Sequence, residues 1–368
     1  MKEQKIRFNE FKGEWEVHSL SEKEFTIIAG GDIDKTILKN SGKYPVVANA
    51  LTNDGILGYY ENSYRVQEPA VTVTGRGEVG IAVARHYSFT PVVRLLSIKS
   101  MHNVDFLANA INCYKVPIES TGVPQLTTVK LQEYKIPMPR AIEEEDAIAK
   151  YITTLDAQIS ASTSRLASLK QIKAASLQAM FPQEGETVPK LRFKGFEGEW
   201  EKVKLGEICT IKKGTQINKS ELSSTGNYYV LNGGIDASGY INVYNTEKDT
   251  ISISEGGNSC GFVNFNIERF WSGGHNYTLQ NVSINNRYLF AFLKFREEDI
   301  MNKRVGSGLP NIQKNALENF NILFPVNKAE QLAIASFFTN LDRQITLQSQ
   351  RLEKLKQIKA ACLDKMFV

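Results

Sequence analysis

The most chemically suggestive stretch runs from Val71 to Ala84 and places glycines 75, 77 and 80 at the spacing G-x-G-x-x-G. In dinucleotide-binding proteins such glycines follow a strand and open a helix, whose N-terminus faces the pyrophosphate. Here β-branched residues two apart continue on the far side of the glycines, which is typical of a second strand. We therefore predict a β-hairpin that presents Arg76 at its tip.

Other residues that could carry chemistry are scattered along the sequence. The four cysteines (Cys113, Cys209, Cys260 and Cys362) form no C-x-x-C pair, and no histidine lies near them at zinc-ligand spacing. The four histidines (His18, His86, His102 and His275) are too far apart to nominate a general base. The sequence contains no Walker loop and no Asn-Pro-Pro-aromatic methylation motif. We expect no catalytic site, metal or cofactor on this chain.

Composition is that of an ordinary soluble protein. The chain has 368 residues, 42% of them hydrophobic and 23% charged, with a net charge of +4. This length favours two domains. No apolar run reaches the roughly 20 residues that span a bilayer, and the N-terminus lacks the apolar core of a secretion signal. We expect a cytoplasmic protein with reduced cysteines.

The chain contains a tandem duplication. Ile6–Glu16 returns as Leu191–Glu201, 185 positions later, and the heptapeptide Leu169–Ala175 recurs unchanged as Leu355–Ala361. In the second copy the glycine-rich turn is Glu255–Gly261, where the first glycine is replaced and the spacing is one residue longer. A phosphate-binding loop depends on those positions, so the second copy argues against a nucleotide site.

A long helix is predicted at the end of each copy. Beyond Pro139 there is neither glycine nor proline from Arg140 to Phe181, and Pro325 marks the same change in the second copy. Apolar residues recur at steps of four and three, interrupted by Ser162 and by Gln348. They are Leu155, Ile159, Leu166, Leu169 and Ile172, and then Leu341, Ile345, Leu352, Leu355 and Ile358. Such spacing favours packing of the two helices against each other, and packing of each helix on its own domain is the alternative. The short polar linker Phe181–Lys190 indicates that the second helix runs back antiparallel to the first.

The order of motifs resembles the specificity subunit of type I restriction-modification systems over the whole chain. The motifs are Arg192–Trp200, Gly308–Ile312, Pro325 followed by Glu330–Ala335, Leu341-Asp342, Leu355–Lys359 and the closing Met366-Phe367. The first half repeats the set, with Glu144-Glu145 where the family usually has a Glu-Gln pair.

The resemblance implies an α+β fold with an internal pseudo-two-fold axis. Two β-rich mixed target-recognition domains would be joined by two long helices that form an antiparallel coiled coil. The expected boundaries are 1–140 for the first recognition domain, 141–182 for the first helical spacer, 183–190 for a linker, 191–325 for the second recognition domain and 326–368 for the second helical spacer.

The resemblance also implies a non-catalytic role. Each recognition domain would read one half of a bipartite, asymmetric target in double-stranded DNA. The helices would set the spacer and dock two methyltransferase subunits, and motor-nuclease subunits would join the complex. A helix from Glu143 to Met180 is about 55 Å long, against about 34 Å for a turn of DNA. S-adenosylmethionine, ATP and Mg would then be bound by the partner subunits.

Contacts with DNA are expected from basic, amide and hydroxyl side chains on loops. In the first copy the candidates are Lys35, Lys43, Arg65, Arg76, Arg85, Thr121 and Gln125. In the second copy they are Lys212, Lys213, Lys219, Asn258, Arg269, His275, Arg304, Ser307 and Asn311. Thr121 and Ser307 would lie at a helix start, where backbone N–H groups face phosphate or simply cap the helix. Trp15 and Trp200 occupy equivalent positions and are predicted to anchor the two cores.

Two other functions compete with this interpretation: a self-contained enzyme that binds a nucleotide at Gly75–Gly80, and a structural coiled-coil scaffold. Exchanging residues 21–115 for the variable region of a homologue separates the scaffold from the recognition subunit. We expect the exchange to alter one half of the DNA target, because only one recognition domain changes. Methylation mapping of the exchanged complex checks this, and an unchanged target would favour the scaffold.

Overall fold

The computed structural model describes residues 5–114, 124–306, 308 and 310–367. The chain divides into two compact units, Met1–Thr163 with Gln350–Val368, and Ser164–Ser349. Each unit therefore takes most of its chain from one repeat and a stretch of helix from the other. We call them unit 1 and unit 2.

Unit 1 contains a four-stranded sheet, a three-stranded sheet and a two-stranded sheet. Its strands are β1 (Glu16–Ser19), β2 (Thr26–Ala29), β3 (Tyr44–Val47), β4 (Ile56–Tyr60), β5 (Ala70–Thr74), β6 (Ala82–Arg85), β7 (Thr90–Pro91), β8 (Leu95–Lys99) and β9 (Lys135–Met138). Its helices are α1 (Val104–Cys113), α2 (Thr128–Gln132) and the first part of α3 (Ile142–Met180). The strand orders are β2-β8-β5-β6, β4-β3-β7 and β1-β9.

Unit 2 repeats these three sheets as β11-β17-β14-β15, β13-β12-β16 and β10-β18. The strands are β10 (Glu201–Lys204), β11 (Thr210–Lys213), β12 (Tyr228–Leu231), β13 (Gly239–Ile241), β14 (Thr250–Ser254), β15 (Val263–Asn266), β16 (Trp271–Ser272), β17 (Asn276–Gln280) and β18 (Asn321–Phe324). The helices are α4 (Leu205–Ile208), α5 (Asn286–Phe295), α6 (Glu297–Met301), α7 (Lys314–Glu318) and the first part of α8 (Lys328–Met366). The predicted α+β class and the duplication are thus confirmed.

The core of each unit lies between the four-stranded sheet and a ten-residue helix. In unit 1 the asparagine before α1 accepts hydrogen bonds from the N–H groups of Asp105 and Phe106, and the helix buries Phe106 and Leu107. Such side-chain capping satisfies N–H groups that the first helical turn leaves free. Trp15 and Trp200 are each 3% exposed, which confirms them as core residues.

The end of one long helix completes each core. In unit 1 Met366, at the end of α8, is buried with residues from the start of α3, and the Phe367 ring lies 6.2 Å from the Trp15 ring. In unit 2 Met180, at the end of α3, is buried with residues from the start of α8, and Phe181 lies 6.1 Å from Trp200. Each core therefore contains the start of its own helix and the end of the other one.

Within each unit α3 and α8 run antiparallel and are joined by an ion pair. In unit 1 the Lys359 Nζ lies 2.5 Å from the Asp156 Oδ1, and in unit 2 the Lys173 Nζ lies 2.5 Å from the Asp342 Oδ1. The two aspartates are equivalent residues of the repeat, 186 positions apart, and so are the two lysines. The predicted antiparallel pairing is confirmed.

With one exception, the predicted coiled-coil residues are at least partly buried along the contact between α3 and α8, which we call the seam. Leu155, Leu341, Leu352 and Leu355 are buried, and Ile159, Leu166, Leu169, Ile345 and Ile358 are partly buried. Ile172 is 49% exposed, so its placement in the seam was wrong. After Leu169 the alternation of three and four requires a step of four, which brings the stem of Lys173 to the seam and turns Ile172 outward.

A buried carboxylate ties the opening motif of each repeat to the first turns of the long helix. In unit 2 the Arg192 Nε and Nη2 donate to the Glu330 Oε1 and Oε2 at 2.7 and 2.8 Å, and the Glu330 side chain is only 1% exposed. In unit 1 Arg7 and Glu144 repeat this arrangement, with both distances at 2.7 Å. The paired geometry explains why the Arg-Phe and Gly-Glu-Trp motifs recur together. Among the described residues, no helix is long and apolar enough to cross a membrane.

Replacing Arg192 tests the contribution of this pair. We expect Arg192→Ala to lower the free energy of unfolding by about 3 kcal/mol, because the Glu330 carboxylate stays buried without its partner. Lys194→Ala removes an exposed cation nearby and should change stability by less than about 0.5 kcal/mol. Urea unfolding followed by tryptophan fluorescence measures both, and equal losses in the two variants would contradict a specific role for the pair.

Candidate nucleic-acid interface

The glycines of the G-x-G-x-x-G stretch form a hairpin turn, as predicted. β5 pairs antiparallel with β6, and the turn closes through a hydrogen bond of 3.0 Å from the Thr74 N–H to the Ile81 carbonyl. Gly77 and Gly80 have φ angles of +76° and +87°, a region in which side chains other than glycine are strained. The exposed Arg76 lies between Gly75 and Gly77 at the tip of the hairpin.

The remaining glycine is required by packing against the protein. The Gly75 carbonyl accepts a hydrogen bond from the Leu126 N–H at 3.0 Å, and its N–H donates to the Asn49 Oδ1 at 2.8 Å. A Cβ atom at Gly75 would lie 2.2 Å from the Arg94 carbonyl oxygen. The motif is therefore explained by the fold of the turn without a phosphate.

The turn of unit 2 brings together four of the predicted DNA-contacting residues. The Ile312 N–H donates to the Glu255 carbonyl at 2.8 Å, which repeats the contact of Leu126 with Gly75. Asn258 is exposed in this turn, and Asn311 bridges to Gly256. The Lys213 Nζ lies 2.6 Å from the Glu255 Oε1, and the His275 Nδ1 lies 3.8 Å from its Oε2. We call Lys213, Asn258, His275 and Asn311 the glycine-turn surface.

The carboxylate of Glu255 lies next to the basic groups of this surface and is mostly buried. Its side chain is 13% exposed, and its Oε1 also accepts a hydrogen bond of 3.0 Å from the Tyr277 hydroxyl. Burial raises the pKa of Tyr277, so the phenol stays protonated and remains a donor. The carboxylate offsets part of the Lys213 charge. The amides of Asn258 and Asn311 add neutral polar groups to the glycine-turn surface.

A pair of tyrosines with an adjacent cation occurs in both units. In unit 1 the Tyr44 and Tyr64 rings lie 4.9 Å apart, and the Lys43 Nζ is 5.0 Å from the Tyr44 ring. In unit 2 the rings of Tyr228 and Tyr244 lie 5.0 Å apart, with the Arg269 guanidinium 4.7 Å from Tyr244. We call these the tyrosine-cation pairs. An exposed ring next to a cation suits contact with a nucleic-acid backbone.

Sequence reasoning selected the two cations and missed the tyrosines. The signal was present, because Tyr44 and Tyr228 occupy corresponding positions in the weakly matching segments around Gly42 and Gly226. A search for aromatic residues that recur at corresponding positions of the two copies would have identified Tyr44 and Tyr228.

The other predicted residues are all exposed; most lie in loops, Lys212 lies within β11, and Lys219 begins a short 3₁₀ helix. This set contains Lys35, Arg65, Gln125, Lys212, Lys219 and Arg304. The Arg65 guanidinium also donates to the Asp32 carbonyl. Thr121 and Ser307 lie outside the described residues.

Arg85 differs from the prediction because its side chain is only 4% exposed. Its Nη1 lies 2.6 Å from the Asp54 Oδ1, and its Nε donates to the Thr72 Oγ1 at 3.0 Å. The pleat of β6 turns this side chain inward, where a charged group is stable only with partners. Arg85 therefore ties β5 and β6 to Asp54 and presents no guanidinium to solvent.

A family model described as the type I restriction modification DNA specificity domain matches the chain twice, at residues 12–171 and at residues 197–357. The chain belongs to this family. The two matches follow the duplication and together cover most of both repeats.

Relatives and a solved structure agree with this assignment. The chain is 31% identical over 182 residues to a protein of Mycoplasma pneumoniae named as a type I specificity subunit, and 30% identical over 182 residues to one of Mycoplasma genitalium. These alignments cover 49% of the chain and 48% and 47% of the relatives, so the chain spans about half the length of the curated relatives it matches. A crystal structure of the type I restriction-modification S subunit from M. genitalium has the same fold, with a TM-score of 0.75 at 19% identity, covering 99% of both chains.

The tyrosine-cation pairs provide a test of the interface. We expect Lys43→Ala and Arg269→Ala each to weaken DNA binding by roughly 3- to 10-fold. Each should also make the slope of log affinity against log salt concentration shallower by about one, the contribution of one phosphate contact. Arg287→Ala is the matched control, because Arg287 is also a cation over an aromatic ring, 3.7 Å from Phe265, at a different place in unit 2. Fluorescence anisotropy of the full chain with a labelled DNA duplex, at several salt concentrations, measures the effect. An equal loss in all three variants would argue against a role specific to these pairs.

Proposed function

We propose that the chain is the non-catalytic DNA-recognition subunit of a type I restriction-modification complex. In this proposal each unit reads one half of a bipartite, asymmetric target in double-stranded DNA. The observation that carries it is the repetition of one recognition fold with two different turn surfaces, in a chain that matches the family model twice.

The division between a repeated frame and a variable surface supports asymmetric reading. The ion pairs Arg7–Glu144 and Arg192–Glu330 have nearly the same geometry in the two units. The turns above them differ, because unit 1 presents Arg76 and unit 2 presents Asn258. Arginine side chains suit guanine and asparagine amides suit adenine in the major groove, so the two units offer different base-reading chemistry.

The long helices are proposed to set the spacer and to dock two methyltransferase subunits, with motor-nuclease subunits joining the complex. Several apolar side chains of α3 and α8 are exposed, among them Ile172 at 49% and Leu332 at 57%. Exposed apolar residues outside a core suit contact with another protein. The corrected position of Ile172 places it among these residues.

The chemistry is assigned to the partners. S-adenosylmethionine, ATP and Mg are proposed to be bound by the methyltransferase and motor-nuclease subunits. The nucleotide-dependent enzyme is not supported, because the turn at Gly75–Gly80 joins two strands and the Gly75 backbone is hydrogen-bonded to Asn49 and Leu126. We propose a cytoplasmic location, which suits the four free cysteines. Burial raises the pKa of Cys209 to about 12, so this thiol stays protonated.

A helix insertion tests the proposal, with mapping of methylated adenines as the measurement. We expect the complex to modify two half-sites of different sequence at a fixed spacing. Inserting one heptad after Ser164 and the same heptad after Gln350 preserves the seam and adds about 10 Å of helix. The spacer should then grow by about three base pairs, at about 34 Å per turn of DNA.

The matched control places the same seven residues in the linker 183–190, where they should leave the spacer unchanged. A single continuous target, or a spacer that ignores the helix insertion, would contradict the proposed function.

A further inference from the structure

Unit 1 gathers two histidines and two glutamates that are far apart in the sequence. His18 lies in β1, Glu22 and Glu24 lie in the connection from β1 to β2, and His102 precedes α1. Because β1 and the start of α1 meet at this side of the unit, the His18 and His102 rings lie 5.8 Å apart. Sequence spacing gave no sign of this arrangement.

Three of the possible ligand atoms lie close together, and the fourth lies next to one of them. The His18 Nδ1 is 2.7 Å from the Glu24 Oε1 and 3.3 Å from the Glu22 Oε2, and the His102 Nε2 is 3.6 Å from the same Glu24 Oε1. In a tetrahedral zinc site with bonds of about 2.0 to 2.1 Å, neighbouring ligand atoms are about 3.3 Å apart. The ligand atoms of His18, Glu22 and Glu24 all lie within 4.8 Å of one another. The His102 Nε2 approaches this group at Glu24, and side-chain rotation would bring it to the same ion.

A buried carboxylate orients His102. The Glu145 side chain is 1% exposed, its Oε1 lies 2.8 Å from the His102 Nδ1, and its Oε2 accepts the Asn103 N–H at 3.0 Å. The His102 ring also stacks on Phe25 at 5.4 Å. A carboxylate behind one ring nitrogen directs the other nitrogen outward as a ligand, an arrangement common around protein-bound zinc. Here the directed atom is the Nε2 that faces Glu24.

Unit 2 keeps the surrounding frame but lacks this chemistry. The Gln331 Oε1 accepts the Asn285 N–H at 2.8 Å, as Glu145 accepts the Asn103 N–H. The Glu207 Oε2 accepts the Lys204 N–H at 3.3 Å, as Glu22 accepts the Ser19 N–H. At the positions equivalent to His18, Glu24, His102 and Glu145, unit 2 has Val203, Cys209, Ile284 and Gln331. The fold therefore forms without these four groups, and unit 1 carries them together.

We propose that His18, Glu22, Glu24 and His102 form a zinc site in unit 1, with Glu145 as the positioning residue behind His102. Two imidazole nitrogens with carboxylate oxygens suit zinc, whereas Mg²⁺ and Ca²⁺ prefer oxygen ligands alone. The ion would link β1 and its following loop to the start of α1, and through Glu145 to the first turn of α3. Its role is structural and independent of the proposed DNA recognition.

Metal titration of the full chain tests the site. After chelator treatment, we expect one Zn²⁺ to bind with micromolar or tighter affinity, and one Co²⁺ to give the visible absorption of tetrahedral nitrogen and oxygen coordination. His18→Val and His102→Ile copy unit 2 and should each weaken Zn²⁺ binding at least 10-fold. Glu145→Gln copies Gln331 and should weaken it by roughly 10- to 100-fold, the range for loss of a carboxylate behind a metal-bound histidine. Zn²⁺ should raise the thermal midpoint of the wild-type chain by several degrees and leave that of His18→Val unchanged.

His86→Asn is the control, because His86 forms an isolated pair with Asp105 at 3.0 Å and is 61% exposed. It should bind Zn²⁺ as the wild type does. Glu24→Gln keeps the side-chain shape and repeats the test with a second ligand, and circular dichroism in chelator shows that each variant is folded. Absence of one-to-one binding by the wild type, or wild-type affinity in folded His18→Val and Glu24→Gln, would overturn the zinc site.

Discussion

The structure depends on the contact that closes each core from the far end of a helix. In unit 1 Phe367 packs on Trp15, and in unit 2 Phe181 packs on Trp200. The tryptophans are already fixed by their own repeats, so the phenylalanines determine where each helix must end. Once both ends are fixed, α3 and α8 are antiparallel in each unit, and the two aspartate–lysine pairs fall at equivalent positions.

This frame leaves the exposed turns of the two units free to differ. The glycine-rich turns are held mainly through backbone atoms, by Leu126 on Gly75 and by Ile312 on Glu255. Backbone hydrogen bonds place few demands on side chains, so Arg76 and Asn258 can stand at corresponding tips. The buried Arg–Glu pairs hold the opening motif against the helix below. The Arg–Glu pairs are thus repeated in both units, whereas the residues exposed in the two turns differ.

Much of the fold could be predicted because the duplication provides two sequences for each element, and a pattern present in both is more reliable than either alone. The hairpin at Gly75–Gly80 and the long helices follow from local periodicity, which needs no knowledge of distant residues. Ile172 was misplaced because the step after Leu169 was taken as three, whereas the alternation of steps requires four and brings Lys173 to the seam. Arg85 was misassigned because the inward turn of a strand residue depends on its neighbours. His18 and His102 meet only through the tertiary fold, and the tyrosine-cation pairs join segments whose sequence similarity is weak.

Because the end of each long helix packs in the other repeat's unit, the position of a mutation in the gene does not indicate which unit it damages. Residues 350–368 belong to unit 1, although they are encoded at the end of the second repeat. A premature stop codon or frameshift in that last stretch would spare nearly all of unit 2 and remove Met366 and Phe367 from the core of unit 1. The mutated codons would therefore lie in the second repeat, while the damaged core belongs to the unit built mostly from the first.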